Sequence, residues 1–201
     1  MLISSGKILR DISHARKVIL ETENETQNPV SFSSDNSDLF LIDETSKILT
    51  QSIGTIIKGK SIHYYSYGNF NLVRLIMHII KQTGPVHAFM SSYSFSATSI
   101  EQINNRLLHK ELLSFKVLID NRVKTMSPKP FQMLSSSLNY RCTSIHAKVA
   151  LLWNDDFKIS IITSQNATDN PKMERGVIFN DPDIFNFDFN ALTNAFNTGT
   201  T

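Results

Sequence analysis

Apolar residues in the chain follow helical and strand-like periods in alternation. Over residues 44–57 and 71–82 they recur every three or four positions, which predicts two helices. Short apolar runs predict strands over 61–66, 86–92, 115–119, 140–153, 158–163 and 173–179. Further helices are predicted over 99–113 and 130–138, and a final helix or loop follows Pro182. Strands that alternate with helices over 60–165 predict an α/β fold, a mixed β-sheet flanked by helices on both faces.

The chain divides into a polar N-terminal part and a longer, more regular part. Residues 21–44 contain seven acidic residues and no basic one. We therefore predict an N-terminal extension over 1–54, with 21–44 as its polar acidic segment, and one domain over 55–201. The total of 201 residues suits one ordinary domain with a small appendage.

Composition excludes several classes of protein. Hydrophobic residues make up 41% of the chain, yet no run approaches the roughly 18 apolar residues of a membrane span. The first residues lack the basic start and apolar stretch of a secretory signal. The single cysteine, Cys142, excludes an internal disulfide framework and argues against a cysteine-rich zinc site. We expect a cytoplasmic globular protein that is not an integral membrane protein.

The net charge of +2 conceals a segregation of charge along the chain. Residues 61–150 contain ten Lys or Arg against three acids, a net +7, whereas residues 151–201 carry a net −4. A basic middle segment favours a polyanionic partner, because clustered Lys and Arg hold phosphates. The same charges would also be compatible with solvated outer faces of helices.

Four polar residues stand out in two neighbouring predicted strands. His146 and Lys148 are two residues apart in an otherwise apolar stretch, so on a strand both side chains point to one face. Ser164 and Asn166 repeat that spacing after the next strand. An ammonium, a hydroxyl, a carboxamide and an imidazole around one point suit a phosphate, with the histidine as nucleophile or proton shuttle.

The pattern His146-x-Lys148 followed by Ser164-x-Asn166 resembles the HKD motif of the phospholipase D superfamily. The resemblance covers about residues 55–180 and implies that 55–201 is a phospholipase D-like domain. Glu174 falls where the superfamily often has an acid that holds the nucleophilic histidine. The sequence departs from the motif at Trp153, where an aspartate is usual, and Asp155 and Asp156 follow two or three residues late.

The resemblance implies phosphodiester cleavage without a metal or other cofactor. It implies that His146 attacks phosphorus to form a phosphohistidine, that Lys148, Ser164 and Asn166 stabilise charge on phosphate oxygens, and that Glu174 orients the imidazole. These five are the predicted catalytic residues. Candidate substrate-binding residues are Arg141, Thr163 and Gln165.

The resemblance also implies a homodimer, since the chemistry needs two histidines and the chain contains one such motif. With the basic middle segment, it favours a nuclease that acts on DNA. Two alternatives stay open at this stage. One is a phospholipase D-type phosphodiesterase for lipids or small molecules, and the other is a catalytically degenerate module that binds nucleic acid or serves as a scaffold.

Overall fold

The computed structural model describes residues 31–33, 38–43 and 46–201, which form one mixed sheet with helices packed against it. The strands are β1 (Ser31–Ser33), β2 (Asp38–Asp43), β3 (Ser61–Tyr67), β4 (Val86–Ser92), β5 (Leu112–Asp120), β6 (Asn139–Thr143), β7 (Lys148–Trp153), β8 (Lys158–Thr163) and β9 (Met173–Asn180). The helices are α1 (Ser46–Ile53), α2 (Leu72–Thr83), α3 (Ala97–Leu108), α4 (Val123–Met126), α5 (Pro128–Ser137) and α6 (Pro182–Thr198).

The strand directions bring most carboxyl ends to one edge of the sheet. The strand order is β1-β2-β3-β9-β8-β7-β4-β5-β6. From the pairings, β2, β3, β4, β5, β6 and β8 run one way, while β1, β7 and β9 run the other. We call the edge where these six strands end the carboxyl edge. In open α/β sheets, ligands bind beside the carboxyl ends of strands.

Helices cover both faces of the sheet, so the predicted α/β class is confirmed. Alternate residues of one strand enter different cores: Ala88 and Met90 of β4 lie in the larger core beneath α1–α5, while Phe89 lies in the smaller core. The smaller core packs α6 against the opposite face through Phe185 and Phe196. This alternation follows from the two-residue period of a strand.

Helix α2 illustrates how closely periodicity and end signals predict an element. Seven of its twelve residues are buried. The Asn71 side chain accepts a hydrogen bond from the Arg74 amide and caps the first turn, as short polar residues do. The chain leaves the helix at Gly84, whose φ of 72° is easily adopted only by glycine. The predicted helix over 71–82 is therefore confirmed within one residue at each end.

Several predicted elements differ from the structure in their extent; the helix predicted over 44–57, for example, ends at Ile53. The strand predicted over 140–153 is interrupted at 144–147, because β6 pairs with β5 whereas β7 pairs with β4. The chain must therefore leave β6 and cross the ends of two strands before β7 begins. The helix predicted over 99–113 ends at Leu108, and Lys110 then adopts a φ of 57° before β5.

The described part of the predicted N-terminal extension is continuous with the rest of the fold. Strands β1 and β2 extend the sheet beyond β3, and Leu49 and Ile53 of α1 lie in the larger core. The acidic segment 21–44 therefore contains strands β1 and β2, and its remaining residues, like 1–20, lie outside the described residues. Among the described residues, none of the helices is long and apolar enough to cross a membrane.

Candidate active site at the carboxyl edge

His146 lies on the crossing segment, residues 144–147, which carries the chain over the carboxyl edge from β6 to β7. The two strands stand three positions apart in the sheet, about 14 Å at the usual strand spacing. Two contacts hold the crossing on either side of the histidine. The Ile145 amide donates to Asp120 Oδ2 at 3.3 Å, and the Ser91 hydroxyl donates to the Ala147 carbonyl at 3.0 Å. His146 is thus presented, exposed, from a segment attached to the ends of β5 and β4.

Lys148 is the first residue of β7, and its ammonium contacts the imidazole. Its Nζ donates to the His146 carbonyl at 2.8 Å and lies 3.2 Å from Nδ1 and 3.3 Å from Nε2 of the same ring. The residue is only 7% exposed. Burial lowers the pKa of Lys148 below its usual range, and the negative charge of Glu174 opposes that shift. The predicted pair is therefore in contact, although His146 lies outside the strand.

Ser164 and Asn166 lie in the turn after β8, beside the crossing segment. The Asn166 side-chain oxygen accepts hydrogen bonds from the Tyr93 amide at 3.2 Å and from the Ser92 hydroxyl at 3.4 Å. The backbone carbonyl of Asn166 accepts a hydrogen bond from the Leu72 amide at the start of α2. With its oxygen engaged in this way, the carboxamide has its NH₂ group to donate to a bound anion.

Glu174 on β9 lies next to this turn. Its carboxylate accepts hydrogen bonds from the Ser164 hydroxyl and, at 2.6 Å, from the Asn170 side chain. Glu174 therefore contacts Ser164, and its negative charge raises the pKa of Lys148. The His146 ring instead contacts Lys148 and the ring of Tyr93, whose centroid is 5.3 Å away.

Thr163 and Gln165 support the turn from below. Gln165 is 2% exposed, and its amide donates to the Phe70 carbonyl at 2.7 Å. The buried Tyr64 hydroxyl donates to Thr163 Oγ1 at 3.1 Å and to Gln165 Oε1 at 2.8 Å. The position of Gln165 suits a residue that holds the turn, and it does not suit direct contact with a ligand.

The structure does not bring Arg141 to this group. Its guanidinium lies over the Phe196 ring of α6, 5.2 Å from the centroid, and donates to the Tyr140 carbonyl. Asp155 and Asp156 lie in the turn between β7 and β8, at the end of β7 opposite Lys148. Trp153 packs on Phe185 and Phe189.

Three residues around His146 were not predicted from the sequence: Tyr93, Asp120 and Arg122. Asp120 ends β5, is 2% exposed and forms an ion pair with Arg122 at 2.8 Å. Hydrogen bonding from Arg122 lowers the pKa of Asp120 below its usual value. The Arg122 guanidinium lies 4.7 Å from the centroid of the Tyr93 ring. The available signal was an acid at the end of a buried strand with a base two residues later.

Metal-ligating side chains do not cluster in the described residues, where no group of three or more His, Cys, Asp or Glu could hold an ion. The polar groups at the carboxyl edge include the Lys148 ammonium, the His146 imidazole, the Arg122 guanidinium and the Asn166 carboxamide, beside the carboxylates of Asp120 and Glu174, which already accept hydrogen bonds from Arg122 and Ser164. This set suits an anionic ligand, because most of its members donate hydrogen bonds or carry positive charge.

Comparison with known proteins gives a similarity of fold. No family model and no curated protein matches the chain. A polyphosphate kinase from Porphyromonas gingivalis is similar over 94% of this chain, with 10% identity and a TM-score of 0.52, although the chain spans only 42% of that structure. NucT from Helicobacter pylori aligns with 67% of this chain and 95% of its own, at 14% identity and a TM-score of 0.48.

A phosphatidylserine synthase from Haemophilus influenzae aligns with 64% of this chain and 36% of its own, at 15% identity and a TM-score of 0.41. At 10% identity, the likeness to the polyphosphate kinase shows a shared fold.

Proposed function

We propose that this chain is a phosphodiester-cleaving enzyme of the phospholipase D superfamily, and more specifically a metal-independent nuclease that cleaves DNA. The observation that carries the proposal is the buried Lys148 ammonium, 3.2 Å from the ring of an exposed histidine. Burial of an ammonium costs free energy, so this placement favours a role with an anion. The NH₂ group of Asn166 supplies further hydrogen-bond donors on the neighbouring turn, where the Ser164 hydroxyl donates to Glu174.

The proposed reaction has two steps. An unprotonated ring nitrogen of His146 attacks phosphorus, a P–N bond forms, and the P–O bond to the leaving oxygen breaks. His146 of the partner subunit gives its proton to that oxygen. Water then attacks phosphorus while His146 of the partner subunit takes up a proton from it. The P–N bond breaks, and a phosphomonoester is released.

The other predicted residues act on charge in this reaction. Lys148 and Asn166 stabilise the negative charge that develops on the non-bridging oxygens. Glu174 holds the Ser164 hydroxyl and favours the charged form of Lys148. A homodimer completes the site, because two histidines take part and the described residues place one, His146, at the carboxyl edge.

Charge near the site favours DNA over a lipid as the substrate. Arg122 and Lys148 belong to the basic segment 61–150; Lys148 contacts the His146 ring, and Arg122 contacts the Tyr93 ring beside it. Repeated phosphates in a nucleic acid engage several such cations at once. A lipid headgroup would present one phosphodiester and would use fewer of them.

Trp153 is the observation that favours the alternative of a degenerate binding module. It stands where the superfamily motif has an aspartate, and it packs on the aromatic side chains of α6. However, it ends β7, about 16 Å along the strand from Lys148 at the usual rise per residue. The substitution therefore leaves the immediate surroundings of the imidazole unchanged.

The test is cleavage of supercoiled plasmid and of a labelled oligonucleotide in the presence of EDTA. We expect the wild-type chain to cut both, and His146→Ala and Lys148→Met to lose about 10³-fold or more in rate while still binding DNA. His109→Ala is the matched control, because His109 is exposed at the end of α3. Cleavage that needs a divalent metal would overturn the mechanism, and binding without cleavage would favour the degenerate module.

Cleavage of phosphatidylcholine vesicles without cleavage of DNA would favour the lipid phosphodiesterase. The homodimer is tested by light scattering at micromolar concentration. We expect twice the monomer mass, and activity per chain that falls on dilution. A monomer with undiminished activity would contradict the composite site.

A further inference from the structure

Arg122 is held next to the proposed nucleophile by a buried carboxylate. Asp120 Oδ1 accepts from the Arg122 backbone amide at 3.0 Å and from its Nε at 2.8 Å, and Oδ2 accepts from Nη2 at 3.4 Å. Asp120 is fixed in turn, since it ends a core strand and also accepts the Ile145 amide. The orientation of the guanidinium is therefore determined by the same residue that holds the crossing segment.

The Arg122 guanidinium lies close to His146 through one aromatic ring. It is 4.7 Å from the Tyr93 centroid, and the imidazole centroid is 5.3 Å from the same point. The two groups are thus no farther apart than the sum of these distances. Lys148 Nζ lies 5.9 Å from the Tyr93 centroid as well, so two cations and the imidazole all lie near this ring.

The side chain of Arg122 retains capacity for a second anion. It is 61% exposed, whereas the side chain of Asp120 is 3% exposed. Two of the five N–H donors of the guanidinium are directed at the carboxylate, which leaves three. A fork of this kind, pre-oriented by one carboxylate, loses little freedom when it binds a phosphate.

We propose that Arg122 binds the phosphate next to the scissile one in a nucleic-acid strand. Lys148 contacts the imidazole directly and is placed for the reacting phosphate, whereas Arg122 contacts the Tyr93 ring that the imidazole also contacts. Asp120 is the positioning residue for the guanidinium. The inference rests on the proposed nuclease function and adds that recognition extends along the strand beyond the reacting group.

The experiment compares a substrate that has neighbouring phosphates with one that has none. Arg122→Gln removes the charge and keeps a donor for Asp120, and Lys158→Gln removes an exposed cation at the opposite end of the sheet. For each variant, KM and kcat are measured with a labelled oligonucleotide and with bis(4-nitrophenyl) phosphate. Thermal unfolding is followed in parallel.

We expect Arg122→Gln to raise KM for the oligonucleotide about tenfold with kcat nearly unchanged, and to leave kcat/KM for bis(4-nitrophenyl) phosphate within twofold. Lys158→Gln should leave KM and kcat unchanged for both substrates. Arg122→Lys keeps the charge without the fork, so we expect an intermediate KM. Equal losses on both substrates, or no change on either, would overturn the proposal.

A binding measurement separates this inference from the proposed function. In the His146→Ala background, the affinity for the oligonucleotide is measured against salt concentration. Adding Arg122→Gln to this background removes one phosphate contact, so it should reduce the slope of log K against log salt by about 0.7 to 0.9. An unchanged slope, or no binding in the background chain, would overturn the role of Arg122. If the wild-type chain cleaves neither substrate, the nuclease proposal fails and the slope alone decides on Arg122.

Discussion

Lys148 Nζ lies 3.2 Å from Nδ1 of His146, although the two residues belong to different elements of the chain. The histidine is on the crossing segment and the lysine opens β7. The contact therefore depends on the two hydrogen bonds that hold the crossing, from the Ile145 amide to Asp120 and from Ser91 to the Ala147 carbonyl. The geometry of the site accordingly depends on these supporting residues as much as on the motif itself.

Replacement of Glu174 should move the alkaline limit of activity. Burial lowers the pKa of Lys148, and the charge of Glu174 raises it. The reaction needs the ammonium, so activity is lost as the pH rises through that pKa. Glu174→Gln removes the opposing charge, and the alkaline limb of the kcat/KM profile should then move to lower pH. The control is Asp156→Asn, at the far end of β7, and a limb that moves to higher pH would contradict the assignment.

Asp120→Asn should lower stability at neutral pH and lose that effect in acid. The folded-state pKa of Asp120 is lowered by Arg122, so its contribution is present above the unfolded pKa of about 3.9 and disappears as pH falls through the folded value. We expect a loss of about 1 to 3 kcal/mol in the free energy of unfolding at pH 7. Urea titrations at pH 7 and pH 3 measure both values, and an equal difference at the two pH values would contradict this account.

The Tyr93 ring should matter more than its hydroxyl. Arg122, Lys148 and His146 all contact the ring itself. Tyr93→Leu removes an aromatic contact of about 1 kcal/mol and should lower kcat about fivefold, whereas Tyr93→Phe should stay within twofold of wild type. Steady-state kinetics with bis(4-nitrophenyl) phosphate measure the effect, and equal losses in both variants would show that the hydroxyl is responsible.

Gly176 is required for the support beneath the site. A Cβ at this position would overlap the ring of Tyr64, which is fully buried and cannot move aside. We expect Gly176→Ala to lower the free energy of unfolding by about 1 to 3 kcal/mol through overpacking. In a Tyr64→Ala background the same change should cost much less, since the ring is gone. Additive losses in the double variant would exclude the steric explanation.

The sequence predicts elements well where one period governs them from end to end. Strands over 86–92 and 158–163 and the helix over 71–82 agree with the structure within a residue. The break at 144–147 could not be predicted, because Ile145 and Ala147 continue the strand-like pattern. Its cause is that β6 and β7 have different partners, which local pattern does not encode.

The candidate site divides in the same way. His146, Lys148, Ser164, Asn166 and Glu174 could be predicted because the motif lies within one stretch of chain. Tyr93, Asp120 and Arg122 come from the ends of β4 and β5, and only the order of strands brings them to His146. Arg141 belongs to the basic segment by sequence, yet its position within β6 directs it to α6.

The most direct test of the central claim is detection of a covalent intermediate. The chain is mixed with an oligonucleotide in EDTA, denatured within the first turnover without acid, and measured by intact mass and peptide mapping. The account predicts that wild-type protein gains the mass of one nucleotidyl fragment through a phosphoramidate bond at His146, and that His109→Ala gains the same mass. Cleavage without any adduct, or an adduct that persists in His146→Ala, would contradict it.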